Sequence, residues 1–146
     1  KRQAVAAIFH ERITALYRQI AHNNDSVSIA YSHNDTATSQ QLLRQYEEKF
    51  DYDRVAGATS VGPHRHDIHI IFNRVPAAQA ASRGECRTIV LAMKFIEAEY
   101  IEQQSGVPPI ILLDDVFGEL DEQRQRALLA EFKANQVVMT STVDIR

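Results

Sequence analysis

The sequence has 146 residues, 45% of them hydrophobic, enough for one globular domain with its own core. A formal net charge of −3 is close to neutral for that size, so charge alone singles out neither nucleic acid nor membrane as a partner. One cysteine, Cys86, excludes an internal disulfide and fits a reducing, cytoplasmic compartment, and no segment is apolar for the roughly 18 residues that a membrane span needs.

In chain order, the first segment, "KRQAVAAIFHERITALY", mixes charges through its length and has no small-residue cleavage site, so it does not read as a signal peptide. It has no initiator methionine and begins within a helical pattern, which suggests a piece of a longer protein. Val5, Phe9, Ile13, Leu16 and Ile20 make the stripe of an amphipathic helix over 4–21. "HNNDS" breaks it with turn formers, and "VSIAYS" (27–32) alternates like a short half-buried strand. A mostly polar helix is predicted around 37–49, then a loop, "GATSVGPHRH" (57–66). "DIHIIFN" (67–73) reads as a strand that Asn73 turns into a hairpin ending near Ala77. The longest helical pattern covers 83–104, with Ile89, Met93, Ile96 and Tyr100 on one face, and "SGVPP" stops it. "IILL" (110–113) is a continuous apolar run, as expected of a strand covered on both faces. A helix over 121–134 and a strand over 136–142 follow. Helix, strand, helix, strand in that order implies right-handed crossovers and a parallel sheet, an α/β fold. The first 50 residues do not obviously join that sheet.

Charge is unevenly spread. Phe95 to Gln123 contains eight acidic residues and no Lys or Arg, whereas His64 to Arg87 contains four arginines and three histidines against one Asp and one Glu. The second stretch is the better candidate for touching phosphate.

Three constellations carry chemistry. In "IILLDDVFGELD", Asp114 and Asp115 emerge at the carboxyl end of a strand, where open α/β sheets bind ligands. One acid there can hold Mg²⁺, largely through water, and its neighbour can polarise an attacking water. The plainer reading is a strand end that reaches solvent, and Asp121 is the N-cap of the next helix either way. In "ASRGECRTIVLAMK" (81–94), Ser82 and Glu85 form a capping box. Gly84 weakens a helix, but suits a close approach to the backbone, and such a helix N-terminus is a seat for phosphate. In "VGPHRHDIH" (61–69), His64 and His66 without a nearby carboxylate or cysteine are weak metal ligands. Arg65 could contact phosphate or backbone, or the segment could be a plain surface loop.

In this order and at these distances, the segments resemble the C-terminal lobe of ABC-type ATPases of the RecF and SMC kind. "SRGEC" (82–86) resembles the signature motif, "IILLDD" (110–115) the Walker B strand, and "GELD" (118–121) the D-loop. The strand 137–140 running into "TST" lies where the switch loop falls, and "VGPHR" (61–65) is similar to a motif of RecF proteins. The resemblance covers 54–144. It implies a C-terminal ATPase lobe over 54–146, with parallel strands and flanking helices, and a helical or α+β arm segment over 1–53.

The roles it implies are specific. Asp114 would bind Mg²⁺ and Asp115 would be the catalytic carboxylate. Ser82, Arg83, Gly84 and Glu85 would meet the γ-phosphate of ATP held by a second protomer. Asp121 would sit at the dimer seam, and Thr140 and Thr142 would face the nucleotide from the switch segment. His64 and Arg65 would contact DNA or the other lobe. Two departures stand out: Cys86 where a long polar residue is usual, and no histidine in the switch segment. None of the five glycines precedes a lysine, so the phosphate loop is expected in an N-terminal lobe outside this sequence.

The whole protein is then expected to hydrolyse ATP in an ATP-dependent, head-to-head homodimer. It is expected to bind DNA, single- or double-stranded, at gaps or junctions, with a RecR-type mediator as partner. This chain by itself is expected to be inactive. A different SMC-like or ABC-type repair or defence ATPase, or a non-catalytic binding module, are the alternatives.

Overall fold

The computed structural model describes residues 2–32, 39–116, 120–132 and 135–142. They form five helices, one 3-10 turn and five short strands, and the chain divides into two compact units: residues 1–29 with 70–146, and residues 30–69.

In the first unit, helix α1 (Arg2–Ala21) buries Ala6, Ile13, Leu16, Tyr17 and Ile20. Val5 and Phe9, at the start of the predicted stripe, are only half-buried. This face packs on α4 (Arg83–Ser105) and α5 (Glu122–Glu131). Helix α4 buries Thr88, Ile89, Leu91, Ala92, Phe95 and Ile96; of the predicted face, Ile89 and Ile96 are buried and Met93 and Tyr100 are half-buried. Phe95 stacks on Phe132 with centroids 4.0 Å apart, and Tyr17 meets Phe72 edge-on at 5.8 Å. Each such side chain contributes about 1.5–3 kcal/mol by leaving water. Thr88, fully buried, turns its hydroxyl back to the Gly84 carbonyl at 2.9 Å, which satisfies it inside an apolar layer. Gly106, left-handed with φ 71, ends α4 as the "SGVPP" breaker predicts.

The predicted hairpin is present. Strand β2 (Asp67–Phe72) pairs antiparallel with β3 (Val75–Pro76), Phe72 opposite Val75. Asn73 and Arg74 at the turn both have positive φ, 47° and 70°, the backbone of the tight turns that match strand twist. Asn73 also anchors β1 (Val27–Ser32): its Oδ1 accepts from Ser26 N at 2.9 Å, and its own N–H donates to Ser26 O at 2.9 Å. A short helix, α3 (Ala77–Ala80), follows.

Strand β4 (Ile111–Asp114) pairs parallel with β5 (Val137–Thr140) across the α5 crossover, with Asp114 opposite Thr140. The expectation that β4 is covered on both faces is corrected here. Leu113 is 8% exposed and joins the core, but Leu112 next to it is 76% exposed, and Ile110 and Val138 are open too. Period-two alternation puts Leu113 against the helices, and no layer among the described residues covers the opposite face.

The second unit holds α2 (Ser39–Ala56), longer than predicted, and the loop that follows it. Gly62 has φ 121, a backbone that side chains rarely adopt, and an added Cβ would also crowd the Tyr46 hydroxyl. Asp53, nearly buried, accepts from Ser60 N at 2.9 Å and closes the loop onto the helix. The apolar stripe of α1 has its partners in α4 and α5, and α2 runs unbroken past residue 53.

Candidate functional site

Asp114 ends β4, and its carboxylate Oδ1 accepts from the Thr140 hydroxyl at the end of β5. The parallel register causes this, since it sets the two residues opposite one another. Asp115 leaves the strand with φ 46, a left-handed conformation that aspartate tolerates better than most residues. The turn aims its N–H back at Thr140, 3.2 Å from the carbonyl and 3.1 Å from the hydroxyl. Its Oδ1 accepts from the Thr142 hydroxyl at 3.0 Å and from Thr142 N at 3.3 Å. Four of the predicted residues, Asp114, Asp115, Thr140 and Thr142, are therefore brought together at the exposed carboxyl end of the parallel pair.

The second cluster opens α4. Ser82 is the N-cap, its Oγ accepting from Glu85 N at 3.3 Å, while Glu85 Oε2 accepts from Ser82 N at 2.6 Å. The capping box read from the sequence is thus complete. Arg83 is exposed, and Gly84 lies in the first turn under Arg124, whose Nη1 would be 3.4 Å from an added Cβ. Arg124 was not anticipated. Its signal is the i,i+3 spacing from Asp121, which caps α5 by accepting from Arg124 N at 2.9 Å and also lies 3.5 Å from Arg124 Nε. Gly118 and Glu119, the rest of the predicted D-loop, lie outside the described residues.

Tyr17, fully buried, borders this cluster electrostatically. Burial pushes its hydroxyl above the ordinary tyrosine value, the Asn23 side chain offsets part of this, Glu85 and Asp25 add to it, and Arg124 opposes it. Among the described residues, no hydrogen bond of good geometry reaches its Oη.

His64 and Arg65 belong to the second unit and are spent on their own loop. His64 Nε2 lies 3.0 Å from Thr59 O, and Arg65 donates Nε and Nη2 to the same carbonyl at 3.0 and 2.8 Å. Pro63 starts the 3-10 turn, Pro63–Arg65, that contains both. The segment is a knot that fixes the loop after α2.

Among the described residues, no group of three or more His, Cys, Asp or Glu is placed to hold a metal unaided. Hard carboxylate oxygens at Asp114 and Asp115 fit Mg²⁺, which takes one or two protein carboxylates and completes its shell with water and substrate phosphates. Among the described residues, no helix is long and apolar enough to cross a membrane.

No family model matches the chain. It is, however, 35% identical over 150 residues to the DNA replication and repair protein RecF of Cyanothece sp., covering 97% of this chain and 40% of that protein. The RecF of Geobacter sulfurreducens is 33% identical, over 99% of this chain and 42% of its own length. A solved structure of the recombination mediator protein RecF of the RecFOR pathway with ATP superposes with a TM-score of 0.80 at 25% identity, over 99% of this chain and 41% of that one. The chain thus spans about two fifths of the length of the curated relatives it matches.

Proposed function

From the premise that this chain belongs to the RecF family, over the two fifths of those proteins that it spans, we propose that it supplies half of an ATPase site. The observation that carries this reading is the pair of carboxylates at the end of β4, turned to adjacent positions and held from β5. ATP is the nucleotide that a related RecF structure contains.

In this reading Asp114 would hold Mg²⁺, which when bound would supply charge to offset that of the phosphates. Asp115 is the general base, orienting a water and taking its proton. Ser82 and Gly84, flanked by Arg83 and Glu85, present backbone N–H groups and a hydroxyl to the γ-phosphate held by a second protomer. Asp121 lies at that seam, which makes hydrolysis depend on an ATP-driven head-to-head homodimer. The phosphate loop comes from the protein's N-terminal lobe. The whole protein binds gapped or junction DNA in the cytoplasm, with a RecR-type mediator. The side chains of His64 and Arg65 shape their loop, and a DNA or interlobe contact there would run through the surface that the knot presents.

In the full-length protein, Asp115→Asn should abolish ATP hydrolysis while ATP binding and dimerisation persist, because the amide keeps the shape and removes the base. Steady-state phosphate release with a parallel nucleotide-binding measurement tests this. Wild-type turnover in the mutant would overturn the site.

A further inference from the structure

We infer that Thr140 and Thr142 are positioning residues for the two carboxylates and not contacts to the nucleotide, an inference that rests on the ATPase reading above. The chemistry of the bonds gives each hydroxyl a direction. An amide N–H can only donate, so the Thr140 hydroxyl accepts from Asp115 N at 3.1 Å. Its single proton is then free for Asp114 Oδ1, the other partner within reach. Thr140 therefore orients both acids at once: Asp114 through its side chain and Asp115 through its backbone. Thr142 completes the arrangement by giving its hydroxyl, at 3.0 Å, and its N–H, at 3.3 Å, to Asp115 Oδ1. The left-handed backbone at Asp115, φ 46, is the conformation in which its N–H and its carboxylate both reach β5 and the residues just after it.

In each acid these bonds engage Oδ1, which leaves Oδ2 to meet a metal-bound water at Asp114 and an attacking water at Asp115. A hydroxyl already committed to a carboxylate has no second proton for a phosphate oxygen. The cluster is solvent-exposed, so each bond adds little to stability and the variants should fold. Losing a group that orients a catalytic carboxylate or metal ligand typically costs about 10–100-fold in activity or metal affinity.

The test uses the full-length protein and four substitutions, each followed by steady-state ATPase against ATP and against Mg²⁺. Thr142→Val should lower kcat about 10-fold or more with KM for ATP within about 2-fold, and Thr142→Ser should restore it. Thr140→Val should raise the Mg²⁺ concentration for half-maximal rate about 10-fold. Asp115→Asn serves as the control on the underlying reading. If Asp115→Asn is dead while both valine variants keep wild-type kcat and Mg²⁺ dependence, the positioning role is wrong and the ATPase site stands. If Thr142→Val raises KM for ATP and leaves kcat unchanged, the threonine binds nucleotide, and the inference falls. If Asp115→Asn turns over normally, the site reading itself fails and takes the inference with it.

Discussion

Tyr17 is the side chain in the core that is least at ease. Its ring is worth burying, but among the described residues no well-formed hydrogen bond reaches its buried hydroxyl. Such a group costs about 1–3 kcal/mol relative to a satisfied one, so Tyr17→Phe should hold or raise stability, by up to about 1 kcal/mol. The pH dependence has a definite sign. Burial raises the folded-state value above the unfolded one of about 10, so the neutral phenol favours the fold below that value, and stability falls as pH rises beyond it. Urea unfolding of the Phe variant at neutral pH and above pH 10 should show a shallower alkaline loss. An alkaline limb as steep as the parent's would remove Tyr17 from the account. At this scale the paired aspartates were visible in the sequence because they are adjacent. Their threonine partners lie 25 to 27 residues further on, and only the register of β4 against β5 brings them there.

The N-terminus of α4 is the element where stability and function can be pulled apart. Ser82→Ala removes one half of the capping box and should cost about 1 kcal/mol. Gly84→Ala should do the opposite, gaining up to about 0.5 kcal/mol of helix propensity, because the new methyl meets only the flexible end of Arg124 at 3.4 Å. If this turn seats a phosphate from a second protomer, both variants should weaken ATP-driven dimerisation of the full-length protein, despite opposite effects on thermal unfolding. Light scattering with and without ATP separates the cases, and a Gly84→Ala protein that is more stable and still dimerises would leave capping as the whole explanation of "SRGE". The element was legible because capping is local: serine and glutamate lie within one turn of each other, and the apolar run follows from Ile89. The same holds for the Asn73 turn and for Asp121 at the start of α5. By contrast, Arg124 over Gly84 depends on how α5 meets α4, and no local rule predicts it.

Across the whole molecule, order and type of element were legible, whereas layering was not. Periodicity shows that "IILL" is apolar, but not which alternate side chains find a neighbour. Likewise, the stripe of α1 announces a partner without saying that the partner is α4, more than 60 residues away in sequence. With the carboxylates and the capped helix but no phosphate loop, the chain by itself should bind Mg-ATP weakly, since that loop supplies most of the backbone donors to the phosphates. Calorimetry giving micromolar affinity for this chain would contradict the division of the site. The open face of Ile110, Leu112 and Val138 has a further consequence, one of behaviour in the cell and the test tube. Among the described residues this sheet has two strands and an apolar flank, and such a sheet is adhesive to its own kind. Produced alone, this polypeptide should be a chaperone client whose scattering grows with concentration, and covering that flank should be what renders it a well-behaved solute.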